Sequence, residues 1–491
     1  LAGTNGLVVE GVHYRGNALI GTGTAADGTP FPYAYCPSQG CSGGLTNSFT
    51  PVSSDLVFRN NIIELSHSQL NLRYVKNVLV EDNLLRLSVG DHIIVAPGYA
   101  TYPNCPPSEN VFIRGNTFLF AGDTIIDLSP QYCSGAPSGY APGSIINGVI
   151  EDNYIETAGN AILAFGTANM VIRNNTIKQY AGAENGISSG YSAGTPPIII
   201  GNRLYNSPGI AGYYVIDNYC ENCGGIRTYP DSTNEWYIVG NILKNIAFGI
   251  RCGGLYYVQG CTGVVANNKI YMYGQAGPMG GTIFDFRGPI YNTLIVNNYI
   301  EGPPLTSTNL NNGTYMPYGI NLTNHSTSQG NIITGNTIVN AKCAYPLQNK
   351  VNPIYCGGFT TACGTVWFPI QVASPNNVIR DNVMYAVNGD YNYGPLEPIP
   401  PGILSLSLTS GTAVQNPYPF DLELEIPVSI TATPASVQVY IGPSQSSLSL
   451  ILQRQYNSTG TDTISVRLPV GWWIQVNTTN ANIGIPTVIG L

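Results

Sequence analysis

Three carboxylates in the first third of the chain are of the residue type that polysaccharide chemistry requires. Asp91 stands beside His92 in a Val-Gly-Asp-His segment, and Asp123 and Asp127 bracket Thr-Ile-Ile. Glycoside hydrolysis uses two carboxyl groups, one as an acid and one as a base or nucleophile. His92 could add a further acid–base group. Asp91, Asp123 and Asp127 are therefore the candidate catalytic residues if this chain is an enzyme.

The alternative for these residues is structural. Asp91, Asp123 and Asn160 each follow a glycine shortly after a recurrent motif, so we expect them to stack in adjacent coils as a polar ladder. Asp127 follows Ile126 within a strand and has no such explanation. A lyase would use a basic residue and clustered acids, and no segment places Arg beside clustered acids. The ladder is the favoured interpretation, and the sequence predicts no catalytic residue, cofactor or metal site.

Eleven cysteines fall into local groups. Most lie in or beside Gly/Pro/Ser-rich loops, which is typical of disulfides that fasten loops in an oxidising compartment. Cys220-x-x-Cys223 could instead be half of a zinc site or a redox pair, but no second such motif completes a zinc site. The disulfide candidates are Cys36 and Cys41, Cys105 and Cys133, Cys220 and Cys223, Cys252 and Cys261, and Cys343, Cys356 and Cys363.

Composition also favours an extracellular protein. Only 9% of residues are charged and the net charge is -8, which argues against a nucleic-acid partner. No apolar run is long enough to span a membrane, so we expect no membrane insertion. Six Asn-x-Ser/Thr sequons are candidate glycosylation sites. They begin at Asn174, Asn312, Asn321, Asn324, Asn457 and Asn477.

A six-residue motif recurs twelve times and predicts the element that positions these residues. It reads apolar, any, Asn/Asp/Gly, Asn, any, apolar, as in Val80 to Leu85, and such periodicity is typical of a solenoid. The residue before the central Asn tolerates a left-handed backbone. Each motif therefore predicts a corner between two short strands, with the Asn pointing inward to bond the Asn of the next coil. The central residues are Asn61, Asn83, Asn116, Asn153, Asn175, Asn202, Asn218, Asn241, Asn268, Asn298, Asn336 and Asn382.

The outward position two residues before each Asn changes character along the chain. In the first five motifs it alternates in charge, at Arg59, Glu81, Arg114, Glu151 and Arg173, so we expect ion pairs between neighbouring coils. It then becomes mostly apolar, and either a loop or another subunit should cover that stretch. The later positions are Ile200, Ile216, Val239, Ala266, Val296 and Thr334.

The pattern predicts two domains. Residues 1–393 form a parallel β-helix with loop insertions, a Pro-rich linker follows at 394–402, and residues 403–491 alternate as an antiparallel β-sandwich. The opening residues up to Gly11 already resemble part of a coil, which suggests a processed product of a longer chain. Trp472 and Trp473 lie in the last domain. We expect one of these tryptophans to pack in the core and the other to contact another subunit or a sugar.

The Asn-cornered repeat resembles right-handed, single-stranded parallel β-helix proteins of the pectate-lyase-like class, which include polysaccharide lyases, glycoside hydrolases and viral tailspikes. The Pro-Val-Gly-Trp-Trp segment at 469–473 is similar to C-terminal modules of viral tail fibres. The composition resembles surface proteins of thermophilic or acidophilic archaea and their viruses. These resemblances imply a spike or fibre, commonly a homotrimer, located on a virion or cell surface.

We therefore predict an extracellular, non-catalytic attachment protein that recognises a host-surface glycan or protein receptor and associates with other virion or surface proteins. Loops rich in Tyr, Asn, Gly and Ser are the expected recognition surface. A polysaccharide-degrading β-helix enzyme and a cell-surface filament or layer subunit remain the alternatives.

Overall fold

A computed structural model confirms that the protein is all-β, with long parallel sheets that form a parallel β-helix and a C-terminal antiparallel sandwich. Among the described residues, no helix is long and apolar enough to cross a membrane. The structure describes residues 4–38, 40–46, 52–97, 106–128, 145–180, 183, 185–190, 195–228, 235–246, 248–253, 260–272, 282–284, 288–304, 306, 319–322, 327–341, 370–372, 377–385, 406–416, 421–469 and 471–490.

The corners form because one residue in each coil has a left-handed backbone. At all twelve motifs the residue before the central Asn has positive φ, between 51° at Asp217 and 72° at Gly240. Asn, Asp and Gly adopt this conformation at the lowest steric cost. The strand bends there, and the next side chain turns into the core. The predicted corner geometry is therefore confirmed.

The central asparagines form a ladder in the core. Asn83 donates from its backbone N–H and from Nδ2 to Asn116 Oδ1, at 3.0 and 2.9 Å. The other Nδ2 hydrogen bonds connect to backbone carbonyls, such as Phe58 O at 2.8 Å. The same pattern runs from Asn61 to Asn268, which confirms the predicted ladder. Each buried amide therefore has partners in the coils before and after it.

The chain divides into two compact units, Leu1–Gly277 with Phe286–Gly288, and Pro278–Asp285 with Pro289–Leu491. This division lies inside the predicted β-helix. A solenoid has no single core, since each coil contacts only its neighbours. The predicted linker at 394–402 lies outside the described residues.

In the first unit the coils contribute strands to three parallel sheets, here named A, B and C. Sheet A contains Val8–Glu10, Ser53–Arg59, Val75–Glu81, Ser108–Arg114, Ile145–Glu151, Thr167–Arg173, Ile198–Ile200, Tyr214–Ile216, Trp236–Val239 and Cys261–Ala266. Sheet B contains His13–Arg15, Ile62–Glu64, Leu84–Ser88, Thr117–Ala121, Tyr154–Thr157, Thr176–Gln179, Arg203–Tyr205, Tyr219–Glu221, Ile242–Lys244 and Lys269–Tyr271. Sheet C contains Leu45–Thr46, Leu70–Arg73, Ile93–Ala96, Thr124–Asp127, Asn160–Leu163, Ile187–Ser188, Ile210–Ala211, Ile226–Arg227 and Ile250–Arg251.

The first strand confirms that the opening residues belong to a coil, because Val8–Glu10 pairs in parallel with Val57–Arg59. Alternate side chains of the strands point inward and stack in apolar rows. Phe58, Val80 and Ile113 form one such row, and all three are fully buried. The core is therefore a stack of aliphatic and aromatic rows beside the Asn ladder.

A hairpin leaves the first coil before it closes. Strands Leu19–Thr24 and Pro30–Tyr35 pair antiparallel. Ala18 and Ala34 form a small cluster with Leu65. The Phe31 ring lies 6.5 Å from that of Phe120 and 5.7 Å from that of Tyr180, so the hairpin packs against the outside of later coils.

The second unit repeats the coil and adds the sandwich. Its coil strands are Ile283–Phe284, Ile290–Val296, Tyr299–Glu301, Ile320–Leu322, Ile332–Thr334, Thr337–Val339, Ile370–Val372, Val378–Arg380 and Val383–Tyr385. Asn298 donates to Asn336 and Asn336 to Asn382, each at 2.9 Å. A second buried ladder lies nearby, since Asn331 Nδ2 donates to Asn377 Oδ1 at 2.8 Å.

The sandwich packs two antiparallel sheets over an aliphatic core. One sheet has the order Ala413–Gln415, Trp473–Thr479, Ala435–Gly442 and Ser449–Tyr456. In the other, Leu422–Ile430 pairs with Gly460–Leu468, Ala481–Ile483 and Thr487–Gly490. Trp472 packs against the core, as predicted for one of the two tryptophans, while Trp473 begins a strand opposite Gln415.

Candidate functional site

The three candidate carboxylates lie on two adjacent coils, two of them just before a strand of sheet C and the third at the end of one. Asp91 lies two residues before the strand Ile93–Ala96. Asp123 immediately precedes the strand Thr124–Asp127, and Asp127 is the last residue of that strand. The Thr124 N–H donates to Asp91 Oδ1 at 3.1 Å, and the Thr124 hydroxyl donates to Asp123 Oδ1 at 3.3 Å. The structure thus brings Asp91 and Asp123 to the same threonine.

Their environments differ. Burial, followed by the charges of Asp127 and Asp123, raises the pKa of Asp91 to about 7. Asp127 is only 4% exposed, whereas Asp123 is exposed. A carboxylic acid that keeps its proton near neutral pH, close to other carboxylates, is the combination used in acid–base glycoside hydrolysis.

His92 does not take part in this cluster. Its ring is fully buried, with Nδ1 2.6 Å from Gln69 Oε1 and Nε2 3.2 Å from the Leu119 carbonyl oxygen. Burial lowers the pKa of His92 to about 3, so the ring is neutral at physiological pH. His92 is a packed core residue that holds neighbouring coils together.

The predicted stack of Asp91, Asp123 and Asn160 is wrong by one residue at Asp123. Thr124, not Asp123, is in register with Asn160, and Asn160 Nδ2 donates to the Thr124 hydroxyl at 3.3 Å. The ladder continues to Asn185, which donates to Asn160 Oδ1 at 3.0 Å. Asp91 and Thr124 each follow the paired sheet B residues Ser88 and Ala121 by three positions, whereas Asp123 follows Ala121 by only two.

A second candidate site lies on the outer face of sheet B and was not predicted from the sequence. Three corner motifs continue as Asn-Tyr-x-Glu, and residues two apart on a strand face the same side. The Tyr154 hydroxyl donates to Glu156 at 2.9 Å, and that of Tyr219 donates to Glu221 at 2.7 Å. In the second unit the Tyr299 hydroxyl donates to Glu301 at 2.7 Å. The repeated Asn-Tyr-x-Glu sequence is the signal from which this face could have been predicted.

Neighbouring coils add further groups to this face. Near Glu156, the Tyr180 hydroxyl donates at 2.7 Å and Lys178 Nζ lies 3.4 Å away. Burial alone would raise the pKa of Glu156, but the hydrogen bonds from Tyr180 and Tyr154 and the charge of Lys178 outweigh it and lower the pKa. Glu156 is therefore ionised and fixed by two phenols and an ammonium group.

The Tyr219 position has the same chemistry. Its ring lies 5.9 Å from that of Tyr205, and Lys244 Nζ lies 5.5 Å from its centroid. The hydrogen bond to Glu221, followed by burial, raises the pKa of Tyr219 to about 12. The phenol thus stays neutral and the face presents rings, carboxylates and amines in fixed positions.

The outer face of sheet A has a different character. The predicted charge alternation is confirmed: Arg59 pairs with Glu10 at 2.9 Å and Arg114 with Glu81 at 2.8 Å. Arg173 Nε donates to Glu151 at 2.6 Å. The later positions of that row are half-buried, except Ala266, which is buried. The ion pairs of Arg59, Arg114 and Arg173 are exposed, so each contributes only a few tenths of a kcal/mol to stability.

Disulfides are present in three of the predicted local groups, Cys36–Cys41, Cys220–Cys223 and Cys252–Cys261. They indicate a non-reducing, extracellular environment. The bond between Cys220 and Cys223 uses both thiolates that the zinc alternative would need. Cys105, Cys133, Cys343, Cys356 and Cys363 lie outside the described residues.

The predicted sequons differ in accessibility. Asn174 and Asn457 are exposed and Asn477 is half-buried. Asn321 is only 5% exposed, and a buried amide is a poor acceptor in the folded protein. Asn312 and Asn324 lie outside the described residues.

No protein-family model, curated protein or solved structure matches this chain. In the part of the chain that the structure describes, no group of three or more His, Cys, Asp or Glu side chains could hold a metal ion. The features of the molecule that bear on its function are the outer faces of sheets A and B and the carboxylate cluster.

Proposed function

We propose that this protein is a non-catalytic attachment protein, a spike or fibre on a virion or cell surface, that binds a host-surface glycan through the outer face of sheet B. The observation that carries the proposal is the tyrosine–glutamate pairing on that face. Its expected assembly is a homotrimer that associates with other virion or surface proteins.

The chemistry of the face suits a sugar. Tyrosine rings offer apolar surface for the C–H faces of a pyranose, and their hydroxyls can bond sugar hydroxyls. Ionised Glu156 accepts hydrogen bonds from sugar hydroxyls or amines, which are strong because the acceptor is charged. The Glu221 carboxyl offers oxygen acceptors in the equivalent position beside Tyr219. Lys178 and Lys244 add donors beside the same rings.

The scaffold supports a binding role because the tyrosines are held by hydrogen bonds within the strand and by neighbouring coils. Little side-chain entropy then remains to be lost on binding, and such preorganisation raises affinity. The disulfides and the low content of charged residues suit a protein that works outside the cell.

A polysaccharide hydrolase is the second candidate, and one observation favours it. The pKa of Asp91 is raised to about 7 beside Asp123 and Asp127, as an acid catalyst requires. A filament or layer subunit shares the composition of an attachment protein, and a protein receptor could replace the glycan.

The test is incubation of the full chain with isolated host-envelope glycans, followed by mass spectrometry of bound and released material. Intact glycans retained on the protein support attachment. Shortened glycans would overturn the non-catalytic proposal and make Asp91, Asp123 and Asp127 the first residues to substitute. If the glycans are neither retained nor shortened, the result favours a protein receptor or an architectural subunit.

Substitution of single tyrosines tests whether the outer face of sheet B is the glycan-binding site. Tyr219→Ala should weaken glycan binding by roughly 3- to 10-fold, the value of one aromatic contact. Tyr35→Ala is the matched control, because Tyr35 is an exposed tyrosine of the hairpin. An equal loss of glycan affinity in both variants would show that sheet B is not the binding face.

A further inference from the structure

The outer face of sheet A has an unbroken apolar row through its centre. In the first unit the cross-strand register places one apolar side chain from each strand in this row. Its members, here called the central row, are Val8, Val57, Leu79, Phe112, Val149, Val171, Ile198, Tyr214, Tyr237 and Val264.

The central row is open to solvent within the chain. Phe112 is 40% exposed, Ile198 36% and Tyr237 39%, whereas the inward neighbour of each is fully buried. The second unit has its own short version, since Leu294, Ile332 and Val378 are in register and exposed. On sheet B the outward apolar residues, such as Ile62, Leu84 and Ile242, are interrupted by charged residues and tyrosines, so the unbroken apolar row belongs to sheet A and not to the coil in general.

We infer that the outer face of sheet A is the surface through which copies of this chain associate. The inference deepens the oligomeric part of the proposed function and does not depend on glycan binding. Its occupant is a second copy of the same chain, and in the proposed homotrimer each copy covers part of the central row of the next.

The size of the face fits this occupant. About ten strands spaced at about 4.8 Å give a length of roughly 45 Å, and the outward rows cover roughly 10 to 15 Å of width. Two copies would therefore bury about 900 to 1,400 Å² together, which reaches the size of a specific protein–protein interface. The face of one copy, at roughly 450 to 700 Å², reaches the upper end of the largest apolar patch on a typical monomer, about 300 to 600 Å².

The charges on the face favour a copy over a charged partner. The sheet A strands of the first unit carry nine charged side chains, and eight of them form the pairs Glu10–Arg59, Lys76–Glu109, Glu81–Arg114 and Glu151–Arg173. The ninth, Asp55, accepts a hydrogen bond from Asn77 at 2.8 Å. The chain as a whole has a net charge of -8, so this nearly neutral face is where two copies repel each other least.

One further row broadens the apolar area in the later coils. Ile200, Ile216, Val239 and Ala266 continue the position of the ion pairs. The strands Ile198–Ile200 through Cys261–Ala266 contain no charged residue. The centre of the interface is therefore expected there, where desolvation costs least.

The experiment measures the mass of the full chain by analytical ultracentrifugation and native mass spectrometry between about 0.1 and 100 μM. The wild type should be a dimer or trimer. Ile198→Glu should raise the dissociation constant at least tenfold, because each copy then buries an unpaired carboxylate. Ile62→Glu is the matched control, since Ile62 is the same residue type at the same exposure, 36%, on sheet B.

The outcomes are distinct. A wild type that is monomeric throughout, or an Ile198→Glu variant that assembles as the wild type does, would overturn the inference. Equal dissociation by Ile62→Glu would do so as well. Circular dichroism checks folding, and Phe112→Gln provides a milder second variant on the same row if Ile198→Glu does not fold. Glycan retention by the dissociated variant separates failure of the interface from failure of the proposed function.

Discussion

Asn83 and Asn116 lie on successive coils and are joined by two hydrogen bonds to a single oxygen. The Asn83 backbone N–H and its Nδ2 both donate to Asn116 Oδ1, at 3.0 and 2.9 Å. One side chain therefore satisfies a corner amide and a buried side chain of its neighbour.

Removing one ladder residue should destabilise the β-helix. Asn175 Oδ1 accepts from the backbone and side chain of Asn153 at 3.1 and 2.9 Å, and Asn175 Nδ2 donates to the Ile150 carbonyl at 2.9 Å. Asn175→Leu leaves these buried groups without partners, at about 1 to 3 kcal/mol each. Chemical denaturation should show a loss of about 3 kcal/mol or more. Thr176→Leu, at the next outward position, is the control, and an unchanged free energy of unfolding for Asn175→Leu would show that the ladder contributes nothing.

The corner glycines should be required for space as well as for backbone conformation. Gly240 has φ 72°, and a Cβ there would lie 2.0 Å from Asp217 Oδ1. Gly11 has φ 66° with nothing within 4 Å of a Cβ. Gly11→Ala should cost about 1 kcal/mol for the left-handed backbone, and Gly240→Ala should cost clearly more. Equal losses in thermal denaturation would mean that the Asp217 side chain moves freely aside.

Stability should fall as the pH rises from about 4 to 7. The pKa of Asp91 is raised by burial and by Asp127 and Asp123 to about 7 in the folded protein, from a value of 3.8. Between these values the folded state holds a proton that the unfolded state has released, so the stabilisation is complete in acid and is lost through pH 7. Asp91→Asn should flatten this dependence by an amount on the order of a few kcal/mol.

The measurement is urea denaturation at several pH values between 4 and 8. The exposed corner variant Asp152→Asn serves as the control. A pH profile of Asp91→Asn that matches the wild type would show that Asp91 ionises normally in the folded chain.

The N-terminal hairpin should detach independently of the β-helix. Phe31 contacts Phe120 and Tyr180, while Tyr33 contacts only Tyr35 among the described aromatic rings. Phe31→Ala should increase cleavage at the turn 25–29 several-fold in limited proteolysis, with little change in the melting temperature of the coils. Tyr33→Ala should cleave more slowly than Phe31→Ala, and the reverse order would contradict this packing.

The sequence predicts the corners well because their cause is local. A left-handed residue and an inward Asn need only the six residues of the motif, and all twelve corners have positive φ. The stacking of Asp123 was mispredicted for a non-local reason. The connection between sheets B and C has no fixed sequence, so the register of Thr124 with Asn160 depends on pairing with neighbouring coils.

The tyrosine–glutamate contacts of sheet B arise locally, whereas the docking of the hairpin does not. The Tyr154–Glu156 contact follows from strand alternation and could have been predicted from the repeated Asn-Tyr-x-Glu. The docking of the hairpin depends on contacts far apart in sequence, such as Phe31 with Tyr180. Four residues after the central Asn, Leu65, Leu87 and Phe120 have left-handed conformations that no propensity would suggest. Asn206, Asn222 and Asn245 adopt the same conformation in later coils, so it belongs to the coil and not to the hairpin.

The Asn ladder makes the length of a coil irrelevant to how coils join. Successive ladder residues are 16 positions apart between Asn202 and Asn218 and 46 apart between Asn336 and Asn382, yet the side-chain bonds measure 3.0 and 2.9 Å. A whole coil could thus be duplicated or deleted in the gene and the flanking rungs would still meet. Such a chain can change length by complete modules while its loops diverge, so its reach and its surface can evolve separately.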